Sequence, residues 1–196
     1  MNNRGPYAKG RERREEILSV ALEVVAERGC RNASNREIAR RVGLSQAGLM
    51  HYFGSREELY MAVLQARDLR DEARYWNPTP DFRGILGIIE NNTRVPGLVQ
   101  LYVEFSAEAS IGKHPAHGYF VERAAAVHEH FALSVRAAQD SGEFGPHIDA
   151  DEAADLVMAA ADGLQQQWLI DPSVDMISRL RHLWTALAAD SHLAKS

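Results

Sequence analysis

Apolar residues recur at helical spacing at Ile17, Leu18, Ala21, Leu22, Val25 and Ala26, and Gly29 follows as a natural left-handed stop, which predicts a first helix over residues 10–28. Ser34-Asn35-Arg36-Glu37 then reads as a capping box: the Ser34 hydroxyl accepts from the Glu37 amide and the Glu37 carboxylate reaches back. A short second helix begins there, with Ile38, Ala39 and Val42 on its apolar side. Gly43 supplies a tight turn, and Ser45 caps a third helix that runs to Tyr52 or Phe53. Ser55-Arg56-Glu57-Glu58 repeats the capping logic and opens a fourth helix through Leu59, Val63 and Ala66 towards Ala73. The stretch from Tyr75 to Pro80 breaks the pattern with two prolines and marks a hinge or loop. Beyond it the periodicity is helical again, over 81–93, 97–111, 115–141, 150–170 and 173–189. With no period-two alternation and no internal repeat, the fold class is all-α.

Two short helices joined by a glycine turn are the elements of a helix-turn-helix, whose second helix enters the major groove while the first braces it. Leu49 and Phe53, one turn apart, are expected to anchor the third helix on Ile38, Val42 and Leu44, turning Ala47, Gly48, Met50 and His51 to solvent. On that face Gln46 is suited to a base edge and Met50 to a thymine methyl, while Ala47 and Gly48 allow close backbone approach. Tyr52 and His51 suit phosphates. Arg36, Arg40, Arg41 and Arg56 surround the face as candidate phosphate contacts. Before the first helix, Arg4, Lys9, Arg11, Arg13 and Arg14 form a basic arm, suited to the DNA backbone or the minor groove.

The charge balance sharpens this picture. Residues 1–70 hold 13 Lys and Arg against 9 Asp and Glu, a balance of +4, so the net −5 of the chain leaves −9 for residues 71–196. A basic head on an acidic body directs a polyanion to the head. The single cysteine, Cys30, excludes an intrachain disulfide, and no apolar run reaches the roughly 18–20 residues of a membrane span. With no secretory pattern at the N-terminus, a soluble, cytoplasmic protein with no membrane partner is expected. Among the histidines, His128 and His130 point about 200° apart on a helix and do not share an ion, and His114 and His117 lack a matching Cys or carboxylate. No metal, no cofactor and no catalytic residue is expected, and Cys30 reads as a packed small hydrophobe.

The run from Ser34 to Ser45, through Leu49 and then Tyr52-Phe53-Gly54-Ser55-Arg56-Glu57-Glu58-Leu59, resembles the signature of the TetR family over roughly residues 12–64. Ser34 stands for the usual Thr and keeps the cap, Arg56 for the usual Lys and keeps the charge, and Met50 for the usual Tyr, which removes a hydroxyl. The resemblance implies a homodimer with an N-terminal DNA-binding domain at 1–56 and a larger helical ligand-binding and dimerisation domain at 57–196. Pro96-Gly97-Leu98-Val99-Gln100-Leu101, Phe105 and His114-Pro115 resemble one subgroup of the family's sensor domains. By family layout, Trp76, Phe82, Leu101, Phe105, Phe120 and Trp168, with Leu86 and Tyr102, line an apolar effector pocket. Likewise Leu156, Val157, Ala160 and Leu164 on one helix, and Ile177, Leu180, Leu183, Trp184 and Leu187 on the next, form an isologous four-helix interface. The function this implies is a regulator that binds a palindromic operator as a dimer and is released by a small-molecule inducer. A protein-docking module and an all-α enzyme are the competing classes, and no reactive motif supports the latter.

Overall fold

The computed structural model describes residues 6–76 and 80–189, and within them nine helices and no strand. They are α1 (Pro6–Arg28), α2 (Asn35–Arg41), α3 (Gln46–Phe53), α4 (Arg56–Tyr75), α5 (Phe82–Asn92), α6 (Pro96–Ala109), α7 (His117–Asp140), α8 (Ala150–Ile170) and α9 (Met176–Ala189). Packing divides the chain into two compact units, residues 1–70 with 95–117, and residues 71–94 with 118–196. These packing units are a different matter from the expected division by role at residue 56.

In the first unit, Ile17, Ala21, Val24 and Val25 of α1 are fully buried, and α1 ends where Gly29, at φ 72°, returns its N–H to Val25 O at 2.8 Å. Against that end lies the start of α6. A Cβ on Gly97 would stand 2.0 Å from the Val25 carbonyl oxygen, so the two helices meet backbone to backbone and only glycine fits. Pro96 opens α6 at a position that has no helical N–H partner to lose. Leu98, Val99, Leu101, Tyr102 and Phe105 then bury its inner face. From α4 come buried Leu59, Tyr60, Val63 and Leu64, together with Arg67, which pairs with Asp68 at 2.7 Å and lies 5.1 Å from the Tyr102 ring centre.

The second unit closes around Ile85, Phe131, Val135, Phe144, Ala153, Val157 and Trp184. Trp184 stacks on Phe82 at 4.2 Å, leans on Phe144 at 4.6 Å and donates its indole N–H to Glu143 at 2.8 Å. Asn92 on α5 donates to Gln165 on α8 at 2.9 Å, so this buried amide pair is satisfied internally.

Several expectations need correction. α1 starts at Pro6, not at residue 10, because Gly10 continues the helix and Pro6 is tolerated in the first turn. Lys9, Arg11, Arg13 and Arg14 are therefore helical, not an extended arm; Arg4 lies outside the described residues, as do residues 77–79 of the expected hinge. α9 starts at Met176, not 173: Asp171 takes the Ser173 amide and Asp175 takes the Ser178 amide, so carboxylates hold the turn and cap the helix. Val157, Leu164, Leu180 and Trp184, assigned to a dimer face, are buried within their own chain: Val157 and Trp184 pack into that core, and Leu164 and Leu180 are 9% and 1% exposed. What α8 leaves outward is Leu156, Ala159, Gln166, Gln167 and Ile170, with Leu156 55% and Ile170 81% exposed.

Candidate nucleic-acid interface and effector cavity

Capping starts the reading head. The Ser34 hydroxyl accepts from the Glu37 amide at 3.2 Å, and the Ser45 hydroxyl from the Gly48 amide at 3.0 Å, with both serines extended. Gly43, at φ 67°, turns the chain between them, and Leu44 returns its N–H to Ala39 O at 2.8 Å. Leu49 and Phe53 are buried with Ile38, Ala39 and Val42. The recognition helix is thus fixed on α2 by its own alternate turns. Gln46, Ala47 and His51 are left exposed, with Met50 and Tyr52 half-buried.

Two members of that face are less open than their spacing suggests. Met50 Sδ receives a hydrogen bond from Asn35 Nδ2 at 3.1 Å, so the thioether leans on α2. Gly48 is half-buried, and a Cβ there would come 3.3 Å from Ser45 Oγ and 3.7 Å from Leu44.

The cations sort into two groups. Arg40 is held by both Glu37 oxygens at 2.9 Å, and Arg41 by Glu37 at 3.2 Å and Glu27 at 2.6 Å. Hydrogen bonding from Arg40, then from Arg41, draws the Glu37 carboxyl down to about 2. Arg13 donates to the Val42 carbonyl at the end of α2, and Arg11 lies 3.8 Å from Glu15. By contrast Arg36 is exposed with no ion pair among the described residues, and Arg14 stands 4.8 Å from the Phe53 ring centre at the end of α3.

Arg56 turns inward. Its Nη2 donates to Cys30 O and to the Tyr60 hydroxyl oxygen, both at 3.0 Å, and its guanidinium lies 4.9 Å from the Tyr60 ring centre. The Tyr60 hydroxyl in turn reaches Cys30 O at 2.7 Å and Ala33 O at 2.8 Å, which ties α4 to the loop between α1 and α2. Burial pushes the Tyr60 phenol up although Arg56 opposes it, so the hydroxyl stays a neutral donor.

Beside this tie the first unit holds a cavity of about 310 Å³. Cys30 and Arg31 come from the α1–α2 loop, Arg56, Glu57 and Tyr60 from α4, and Leu101, Glu104, Phe105 and Glu108 from α6. Cys30 Sγ donates to Glu104 at 3.0 Å, and Arg31 Nε to the same carboxylate at 2.9 Å. Burial and then Glu104 push the Cys30 thiol up to about 12. Burial works against the charge on Glu104, but bonds from Cys30 and Gln100 and the Arg31 charge outweigh it and hold the carboxyl low.

Of the eight residues expected at an effector pocket, Leu101 and Phe105 line this cavity, and Tyr102, in the same unit, is buried under Arg67. The other five belong to the second unit: Trp76 stacks on His130 at 4.1 Å, Phe82 on Trp184, Phe120 meets Tyr119 edge-on at 5.0 Å, and Leu86 and Trp168 are buried. Cys30, Arg31, Glu57 and Tyr60 were not anticipated at a cavity. Glu104 and Glu108, each one turn from Leu101 or Phe105, carry a sequence signal that places them there.

Comparison with known proteins places this geometry. Residues 17–63 match the family model described as bacterial regulatory proteins, tetR family, and residues 87–192 match the model described as BetI-type transcriptional repressor, C-terminal. The transcriptional dual regulator CecR of Shigella flexneri is 40% identical over 65 residues, 33% of this chain and 29% of CecR, so the chain spans under a third of that relative. The transcriptional regulator UidR of Escherichia coli K12 is 26% identical over 155 residues, 77% of this chain and 79% of UidR. The fold of Salmonella enterica GusR superposes with a TM-score of 0.66 at 22% identity, covering 96% of this chain and 100% of GusR. With both halves matched and the second match spanning more than half its length, the chain belongs to the TetR family of bacterial regulatory proteins.

Proposed function

We propose that this protein is a cytoplasmic, ligand-responsive transcription regulator that binds a palindromic operator as a homodimer and, as a repressor, is released by a small-molecule inducer. The observation that carries the reading is the capped recognition helix α3, locked by Leu49 and Phe53 and presenting Gln46, Ala47 and His51 on one outer face. Gln46 and Met50 take base edges; Arg36, His51, Tyr52 and Arg56 take phosphates, and Ala47 and Gly48 keep the backbone close. In this reading Arg56 leaves Cys30 O to reach DNA. Dimerisation uses the outward side of α8 around Leu156 and Ile170, large apolar side chains with 55% and 81% of their surface exposed. The effector acts on helices that meet the reading head, and so changes the spacing of two recognition helices that must lie about one helical turn of DNA apart.

The test compares two substitutions on operator and random DNA over a salt series. Arg36→Ala weakens binding to every sequence and lowers the salt slope by about one. Gln46→Ala costs about 1–3 kcal/mol on the operator and little on random DNA. Equal, sequence-blind losses from both contradict this division of roles.

A further inference from the structure

On the reading surface one side chain is braced and its neighbour is free. Leu49 and Phe53, 0% and 2% exposed, clamp α3 on α2, so what remains to be set on the outer face is the placement of its side chains. Gln46 is exposed and has no side-chain hydrogen bond among the described residues. Met50, one turn further on, is half-buried, and its Sδ receives the Asn35 Nδ2 N–H at 3.1 Å. A thioether side chain has several rotatable bonds, and its sulfur is a weak acceptor. Asn35 makes this contact in an unfavourable setting: its Oδ1 is shielded from solvent and has no hydrogen-bond partner among the described residues. A buried acceptor left unsatisfied costs stability, and an apolar side chain of the same shape would avoid that cost. Fold stability therefore gives no reason for an amide at this place. What the amide does hold, among the described residues, is the tip of a recognition-helix side chain.

We propose that Asn35 is a positioning residue for sequence readout: its amide fixes the Met50 thioether at one placement, so that the terminal methyl of Met50 meets a thymine methyl with the side chain already ordered. Asn35 opens α2 directly after the Ser34 cap, and the Ser34 hydroxyl is bonded to the Glu37 amide, so the brace projects from a fixed helix end. A side chain ordered before binding loses less freedom on the DNA. A methyl held at one place in the major groove distinguishes thymine, whose C5 methyl lies there, from a base without it. Asn35 itself touches no base in this reading; it acts through Met50. The inference rests on the DNA-binding reading above for its consequence and not for the brace, which is present in the free protein.

The brace is tested first without DNA, by NMR of the full chain isotope-labelled at the methionine methyl groups. Asn35→Leu keeps the side-chain shape and removes both the donor and the unsatisfied acceptor. It is expected to keep or raise the melting temperature while the order parameter of the Met50 methyl falls by about half. Asn35→Ala, which adds no bulk, repeats the reading should leucine disturb the fold. Duplexes selected from random sequence by the unsubstituted protein are then remade with deoxyuracil in place of each thymine in turn. In each half-site one thymine methyl is expected to contribute about threefold to tenfold in affinity for the unsubstituted protein and nothing for Asn35→Leu or Met50→Ala. A merely structural role for Asn35 would instead weaken binding to every duplex alike. A Met50 methyl as rigid in Asn35→Leu as in the unsubstituted chain, or the same deoxyuracil penalty in both, overturns the proposal and leaves the regulator reading standing. A selection that enriches no sequence overturns the regulator reading and the readout with it.

Discussion

Single residues show how much of this protein's chemistry is set by unlike neighbours. Cys30, buried and bonded to Glu104, holds its thiol proton at a pKa of about 12. It is expected to react with a disulfide reagent at pH 8 at least about a hundredfold slower in the native protein than in urea, since the thiolate is the nucleophile. Equal rates would show that the thiol is open. His130 is buried, stacks on Trp76 and leaves Nε2 without a hydrogen-bond partner among the described residues. Burial pushes its pKa below 6.5, with Asp81 opposing more weakly. The unfolded chain then takes up a proton near pH 6.5 that the folded chain resists. Stability is fully present above 6.5 and falls as the pH drops below it towards the lowered value. His130→Phe flattens the melting temperature between pH 7 and pH 5; a slope as steep as that of the unsubstituted protein contradicts this assignment.

At the scale of elements, the contact between α1 and α6 is the tightest seam in the first unit. Gly97→Ala puts a methyl 2.0 Å from a backbone carbonyl that cannot swing away, and is expected to cost about 1–3 kcal/mol or more in chemical denaturation. Gly118→Ala, with nothing within 4 Å in α7, is expected to be neutral or stabilising by up to about 1 kcal/mol. Helix starts set by a serine and an amide three residues on, at Ser34, Ser45 and Ser55, were legible in the sequence because the partners are local. So were Leu49 and Phe53, whose periodicity needs only the helix itself. Arg56 was not, because its partners at Cys30 and Tyr60 are decided by how α4 closes on the α1–α2 loop. The same limit explains α8 and α9: periodicity identifies an apolar side but not whether it meets its own core or a second chain. Val157 and Trp184 face the former.

For the whole molecule, the proposed regulator combines a basic first segment, residues 1–70, with an acidic remainder, and its proposed dimer contact is the exposed Leu156 and Ile170 side of α8. The double substitution Leu156→Glu with Ile170→Asp is expected to give monomers in sedimentation without loss of helicity, and to weaken operator binding far more than binding to a half-site. An intact dimer would move the interface elsewhere. Sequence-specific recognition by paired α3 helices is checked by selection from random duplex DNA at two salt concentrations. The expected outcome is an enriched inverted repeat, with half-sites about one helical turn apart, that survives the higher salt. Binding that enriches no motif and vanishes as salt rises would contradict it.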